Sequence, residues 1–194
     1  MKYFLLSLFL SSQVFAQTYN RLGVDEVQAD SSLQSNWNKY QENYHPNYAF
    51  DDNPKTAWVE GVEGNGEGQT LRWEVSKLET VSKVKLRFRN GYQSSPSLFK
   101  ANSSPLEVEV TLNGKSPLFT NVATISLKQV MGWQEFEFTL PENHGLSSVA
   151  LKIVSVIEGR KYKDTCLSDV QIWVESKVPY NPKIEDAKMM KLKS

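Results

Sequence analysis

Lys83-Val84-Lys85-Leu86-Arg87-Phe88-Arg89 alternates strictly between charged and apolar residues. In an extended chain, Val84, Leu86 and Phe88 share one face and the four cations the other, which is the pattern of a half-buried β-strand. Working outward, the same rule recurs. Leu71, Trp73 and Val75 alternate with polar neighbours, as do Leu106, Val108, Val110 and Leu112 with Glu107, Glu109 and Thr111. Asn113-Gly114 then supplies a turn signal. Phe136, Phe138 and Leu140 form a further strand that stops at Pro141; Val149, Leu151 and Ile153 form another, and Val170, Ile172 and Val174 the last. No stretch repeats at 3.6 residues. Strands with one wet and one apolar face, separated by Gly, Pro, Asn and Ser clusters, predict an all-β fold, an antiparallel sandwich or barrel.

The ends read differently. Lys2, an apolar run from Tyr3 to Leu10 broken by Ser7, and Val14-Phe15-Ala16 make a secretory signal peptide over 1–16, cut ahead of Gln17. The run is about half of the roughly 20 apolar residues a membrane span needs, so the mature chain is expected to be exported, to the periplasm or beyond, with no transmembrane segment. Residues 17–26 look peripheral, 27–175 form one domain, and 176–194 form a tail carrying Lys183, Lys188, Lys191 and Lys193. Lysine plus arginine number 22 and aspartate plus glutamate 22, so no basic excess draws the chain to nucleic acid. Cys166 is the single cysteine. It excludes an intrachain disulfide and reads as a buried, inert thiol.

Tyr44-His45-Pro46-Asn47-Tyr48-Ala49-Phe50-Asp51-Asp52-Asn53-Pro54-Lys55-Thr56-Ala57-Trp58 resembles the discoidin, or galactose-binding-like, pattern of alanine, an aspartate-rich turn and threonine-x-tryptophan. Val27 to Leu33 is similar to that family's first strand, and Leu167-Ser168-Asp169-Val170-Gln171-Ile172 to its closing one. The block Trp58 to Gly68, together with Asn90-Gly91-Tyr92, Asn102 and Gly159 to Thr165, is similar to the glycan-binding translocation domain of secreted NAD-glycohydrolase toxins. The resemblance covers about Val27 to Val174 and implies a jelly-roll β-sandwich. The NAD-cleaving activity of those toxins lies in a separate catalytic domain, so the resemblance implies a binding module and not an enzyme. This chain departs from the pattern at Asp52, where a turn glycine is usual, at Asp169, where glutamate is usual, and at Ser103, where an arginine is usual.

Two sites are implied. By position in the family, a structural Ca²⁺ would be held by the Tyr48 carbonyl, Asp51, Asn53, Thr56 and Asp169, a hard oxygen set suited to that ion. Asp51 and Asn53 equally suit a turn that satisfies its own amides. The glycine-rich acidic loop 61–68 lacks the lysine-serine pair of a phosphate cradle. Sugar hydroxyls are the better match, held by Glu60, Asn65, Asn90 and Asn102 with Tyr92 against a pyranose face. A glycan or cell-surface glycoconjugate is the expected partner. A protein partner, on the basic face of Lys85, Arg87 and Arg89 or on the tail, is the competing expectation. Trp58 and Trp73 are expected in the core, and Trp37 and Tyr40 at the surface. His45 and His144 read as turn residues, since a general base needs an oriented partner. A carboxylate pair for glycoside hydrolysis would come from Glu60, Glu63 and Glu67, and its separation is the test.

Overall fold

The computed structural model describes residues 19–35, 43–75, 81–115 and 118–175. The expected signal peptide, the lysine tail, Trp37 and Tyr40 lie outside the described residues. In chain order the strands are β1 (Asn20–Arg21), β2 (Val24–Ala29), β3 (Trp58–Val59), β4 (Thr70–Val75), β5 (Val81–Asn90), β6 (Ser104–Lys115), β7 (Leu118–Ser126), β8 (Gln134–His144), β9 (Ser148–Ile157) and β10 (Cys166–Glu175). A 3₁₀ turn, Pro46–Phe50, precedes β3, and α1, Pro96–Ala101, follows β5. One sheet runs β1-β10-β5-β8 with β3 also on β10; the other runs β2-β4-β9-β6-β7. All strand pairings are antiparallel, giving the expected jelly-roll sandwich.

The core sits between the sheets where alternation placed it. Val84, Leu86 and Phe88 of β5 and Val170, Ile172 and Val174 of β10 are fully buried with Leu71, Trp73, Val108, Val110, Leu112, Val149, Leu151 and Ile153 of the second sheet. Each such side chain contributes about 1.5–3 kcal/mol by leaving water, and with one cysteine no cross-link assists. Trp58 is also buried, its indole N–H donating to the Ser31 carbonyl at 2.9 Å. A small void lined by Trp58, Phe88, Val108, Leu127 and Leu167 is apolar and of about 10 Å³, with no room for a sugar.

Four details correct the expected strand boundaries. The sandwich begins before Val27: Asn20 and Arg21 pair with Val174 and Trp173, and Leu22 is buried. A two-residue strand, followed by a register shift between Val24 and Glu26, breaks the period-two signal there. Asn113-Gly114 is not the hairpin turn, since β6 continues and Gly114 pairs with Phe119. A Cβ at Gly114 would lie 2.2 Å from the Phe119 ring and 2.3 Å from the Gly145 carbonyl, so the glycine serves close packing. Leu106 is exposed, because register shifts between Pro105, Glu107 and Val108 turn it outward. β8 passes through Pro141 to His144; it ends its sheet and shifts register at that end, where a missing N–H is tolerated. The helix α1 had no 3.6-residue stripe to reveal it. Its signal is local: Ser95 caps it, accepting the Leu98 N–H at 3.1 Å, and Pro96 opens it.

Candidate functional site

Loop 60–68, α1 with residues 102–104, and loop 158–165 pack against one another at one end of the sandwich. Glu60 is the joint. Its side chain is fully buried, with one carboxylate oxygen accepting the Thr165 N–H at 3.1 Å and the other the Val62 N–H at 2.9 Å. Burial raises its pKa against the pull of those two amides. Thr165 Oγ1 donates to the Asn65 carbonyl at 2.7 Å. The N–H groups of Lys161 and Tyr162 both donate to the Ala101 carbonyl, at 3.0 and 2.8 Å, and Arg160 N–H to that of Lys100 at 3.0 Å. Ser103, where the family's arginine is usual, is buried. Its hydroxyl donates to the Tyr162 carbonyl at 3.2 Å and accepts the Gly159 N–H at 2.9 Å.

The five expected ligand residues therefore divide. Glu60, Asn90 and Asn102 are buried and hold backbone. Asn90 Nδ2 donates to the Pro105 carbonyl at 2.8 Å and that of Lys128 at 3.3 Å, tying β5 to the start of the β7–β8 loop. Asn102 ends α1, its Nδ2 reaching the Leu98 carbonyl at 2.9 Å. These three do not present their side chains to solvent, so neither a sugar nor a glycosidic bond meets the Glu60 carboxylate. Asn65 and Tyr92 are half-buried. Asn65 Nδ2 approaches Glu158 at 3.4 Å. Tyr92 stands edge-on to Tyr44, ring centres 6.4 Å apart, over a small cluster of Ala57, Val59 and Cys166. The Cys166 thiol is buried there and its pKa lies well above normal, chiefly through desolvation. The surface aromatic of this end is Tyr162, 40% exposed, with the Lys161 ammonium 4.9 Å from its ring centre. Its loop stood in the sequence, but its exposure depends on how residues 158–165 drape over α1.

The aspartate turn lies elsewhere, against β10. Asp51 accepts the Asn53 N–H at 2.9 Å and the Thr56 hydroxyl at 2.7 Å, while Asn53 Oδ1 accepts the Lys55 N–H at 3.1 Å. Asp52 takes the left-handed φ of 60° that a glycine usually fills. It is held there by an ion pair with Arg21 and a 2.7 Å bond from Gln171. His45 Nδ1 accepts the Asn47 N–H at 3.2 Å and caps the 3₁₀ turn. Asp169 differs from all of these. It is fully buried and neither carboxylate oxygen has a hydrogen-bond partner. Desolvation and the nearby Asp52 and Asp51 push its pKa up to about 8, against Arg89 and Arg21. An orphaned carboxylate beside two others is what a hard cation relieves, so Asp169 and Asp51 fit Ca²⁺. Among the described residues no group of three or more acid, imidazole or thiol side chains could hold a metal, so neutral oxygens would have to supply the remaining ligands. Thr56 Oγ1 is beside Asp51, whereas the Asn53 side-chain oxygen is turned onto its own loop.

The basic face of β5 is occupied from within. Arg87 bonds Glu135 at 2.7 Å and Gln171 at 2.9 Å, and Lys83 pairs with Glu137 at 3.2 Å. The Lys85 ammonium lies 4.1 Å from the Tyr19 ring centre, and the guanidinium of Arg89 lies 4.4 Å from that of Trp133. These cations are committed to β8, β10, Tyr19 and Trp133 and do not form a free basic patch.

Comparison with known proteins agrees with this architecture. The model of the NAD glycohydrolase translocation F5/8 type C domain family matches residues 18–173. No curated protein matches. Among solved structures, the family 32 carbohydrate-binding module of Clostridium perfringens NanJ in complex with galactose superposes with a TM-score of 0.55 at 12% identity, covering 80% of this chain and 99% of that one. An F5/8 type C domain from Bacteroides fragilis gives 0.53 at 11% identity, with 81% and 98% covered. A truncated AlyQ with carbohydrate-binding and alginate lyase domains gives 0.53 at 15% identity; 86% of this chain matches 36% of that one, so the chain spans about a third of its length. At these identities the likeness is one of fold. Among the described residues no helix is long and apolar enough to cross a membrane.

Proposed function

The chain belongs to the NAD glycohydrolase translocation F5/8 type C domain family, and from that premise we propose that it is an exported, non-catalytic module recognising glycans through the loop end of its sandwich. The observation that carries this reading is the joining of loops 60–68 and 158–165 by buried Glu60, with α1 held to the second of them by backbone bonds. It fixes a platform before any ligand arrives, which lowers the ordering cost of binding. Asn65 and Tyr162 belong to these loops, with Glu63, Glu67, Arg160 and Lys161 of the same loops exposed, and half-buried Tyr92 packs over Cys166, next to Thr165 in the chain. Aromatic rings next to fixed polar groups suit the apolar faces and hydroxyls of a pyranose. That a similarly folded module is described in complex with galactose supports the same class of ligand. Glu60, Asn90 and Asn102 act here as scaffold, and Asn65, Tyr92 and Tyr162 as the contact surface. Ca²⁺, where bound, is held by Asp169 and Asp51 with the Thr56 hydroxyl and the Tyr48 carbonyl; it neutralises the orphaned carboxylate and stiffens the turn.

The test is a broad glycan array probed with mature protein from Gln17 in calcium-containing buffer. One sugar class should bind reproducibly, and Tyr162→Ala should weaken that binding roughly two- to tenfold, the loss of about one stacking contact. A blank array from folded protein, or binding indifferent to both Tyr162→Ala and Tyr92→Ala, would overturn the assignment.

A further inference from the structure

We propose that β7 is a homodimer interface, two copies pairing β7 with β7 antiparallel about a two-fold axis at Val122. β7 ends the second sheet and is bonded within it to β6 alone. It runs Leu118-Phe119-Thr120-Asn121-Val122-Ala123-Thr124-Ile125-Ser126, nine residues without a charge or a proline. Its register with β6 is unbroken from Lys115↔Leu118 to Glu107↔Ser126. Leu118 is 85% and Val122 54% exposed.

A free strand edge offers a row of unpaired N–H and C=O groups, and proteins blunt such edges with charge, proline, bulges or brevity. The remaining edges here carry those devices. β8 has Glu135, Glu137 and Pro141 and a register shift opposite Val81 to Lys83. β2 has Asp25, Glu26 and a register shift between Val24 and Glu26. β1 is two residues long. Among the described residues, β7 alone is long, regular and unprotected.

Charge decides the occupant. Two-fold pairing brings the residues at the axis next to their own copies, so a charge there would face a like charge. β7 has none along its whole length. Centred at Val122, the pairing sets Val122 against Val122 of the second copy, Thr120 against Thr124, and Leu118 against Ser126. Thr–Thr and β-branched pairs of this kind are favourable across strands, and a self-complementary two-fold patch is the commonest route to an oligomer. The seam is about 30 Å long at ~3.4 Å per residue. A single strand pair buries less than the roughly 1,200–2,000 Å² of a standard stable interface, so the dimer is weak and forms only at high protein concentration.

Sedimentation equilibrium of the mature chain over about 5–500 μM tests this. The wild type should fit a monomer–dimer equilibrium. Val122→Lys should weaken it at least about tenfold, while Val154→Lys, exposed on β9 away from the edge, should leave it unchanged. If Val122→Lys fails to fold, Thr124→Lys reads the same contact. Val122→Cys gives the positive signal: a disulfide-linked dimer on mild oxidation, which Leu118→Cys, facing Ser126, should not form. A monomer at every concentration, a dimer untouched by a lysine on β7, or oligomers that grow beyond two would refute the proposal.

Discussion

Glu60→Gln is the change that most directly interrogates the loop platform. The wild-type carboxylate serves two fixed donors, the N–H groups of Thr165 and Val62, at 3.1 and 2.9 Å. Glutamine keeps the shape but offers one oxygen and one NH₂, so one amide must face another donor. A hydrogen bond to a charged group contributes about 1.5–3 kcal/mol, and leaving a buried N–H unpaired costs about 1–3 kcal/mol. Removing the buried charge returns part of this, since desolvation already works against the ionised form. The net expectation is a loss of about 2 kcal/mol for glutamine and about 3–5 kcal/mol for Glu60→Ala, which strands both amides. With a urea slope of about 2 kcal/mol per M, the unfolding midpoint should fall by about 1 M and about 2 M. Amide hydrogen exchange should report the same break locally, with Val62 and Thr165 losing protection in both variants. A Glu60→Gln midpoint within about 0.2 M of wild type, with both amides still protected, would show that Glu60 does not join the loops.

Three further outcomes follow from the same geometry. Gly66→Ala should cost about 2–4 kcal/mol in urea unfolding, because φ is +72° and the new methyl would lie 2.4 Å from Glu60 Cγ; a midpoint equal to wild type would contradict this. In EDTA, the stability contributed by Asp169 should be complete below the unfolded carboxyl range near pH 4 and be lost as pH rises to about 8, its raised folded pKa, adding a downward slope over that window. Asp169→Asn should flatten this slope, and an unchanged slope would put its origin elsewhere. Millimolar calcium at pH 8 should raise the wild-type Tm and leave Asp169→Asn unmoved, whereas an equal rise in both would place the ion away from the aspartate turn.

How far the sequence could be read depended on whether a feature was local. Val84, Leu86 and Phe88 are buried by their own alternation, and Trp58 and Trp73 by their bulk within strands, so the core and the sandwich were legible. β1 was not. Two residues carry no period, and Asn20 and Arg21 become a strand only because Val174 and Trp173 lie beside them. Gly114 has the same character: as sequence it is half of a turn dipeptide, and only the Phe119 ring and the Gly145 carbonyl show why a side chain is refused. Arg21 closes onto Asp52, 31 positions away, a contact that no spacing rule contains.

The candidate site was less legible for a related but different reason. Glu60, Asn90 and Asn102 were singled out as polar residues at irregular places, which is equally the description of a side chain needed by the backbone. Loops at a sandwich end leave N–H and C=O groups outside the ladder, and nearly all buried ones must find partners. At Glu60 two amides converge, at Asn90 the carbonyls of Pro105 and Lys128, at Asn102 the last turn of α1. A polar residue flanking glycine-rich or helix-ending segments is therefore claimed first by the loop, and only what the loop leaves unclaimed is available to a ligand. Applied here, that rule passes over the three buried residues and selects Tyr162, whose backbone is fully used and whose exposed ring carries only the Lys161 ammonium.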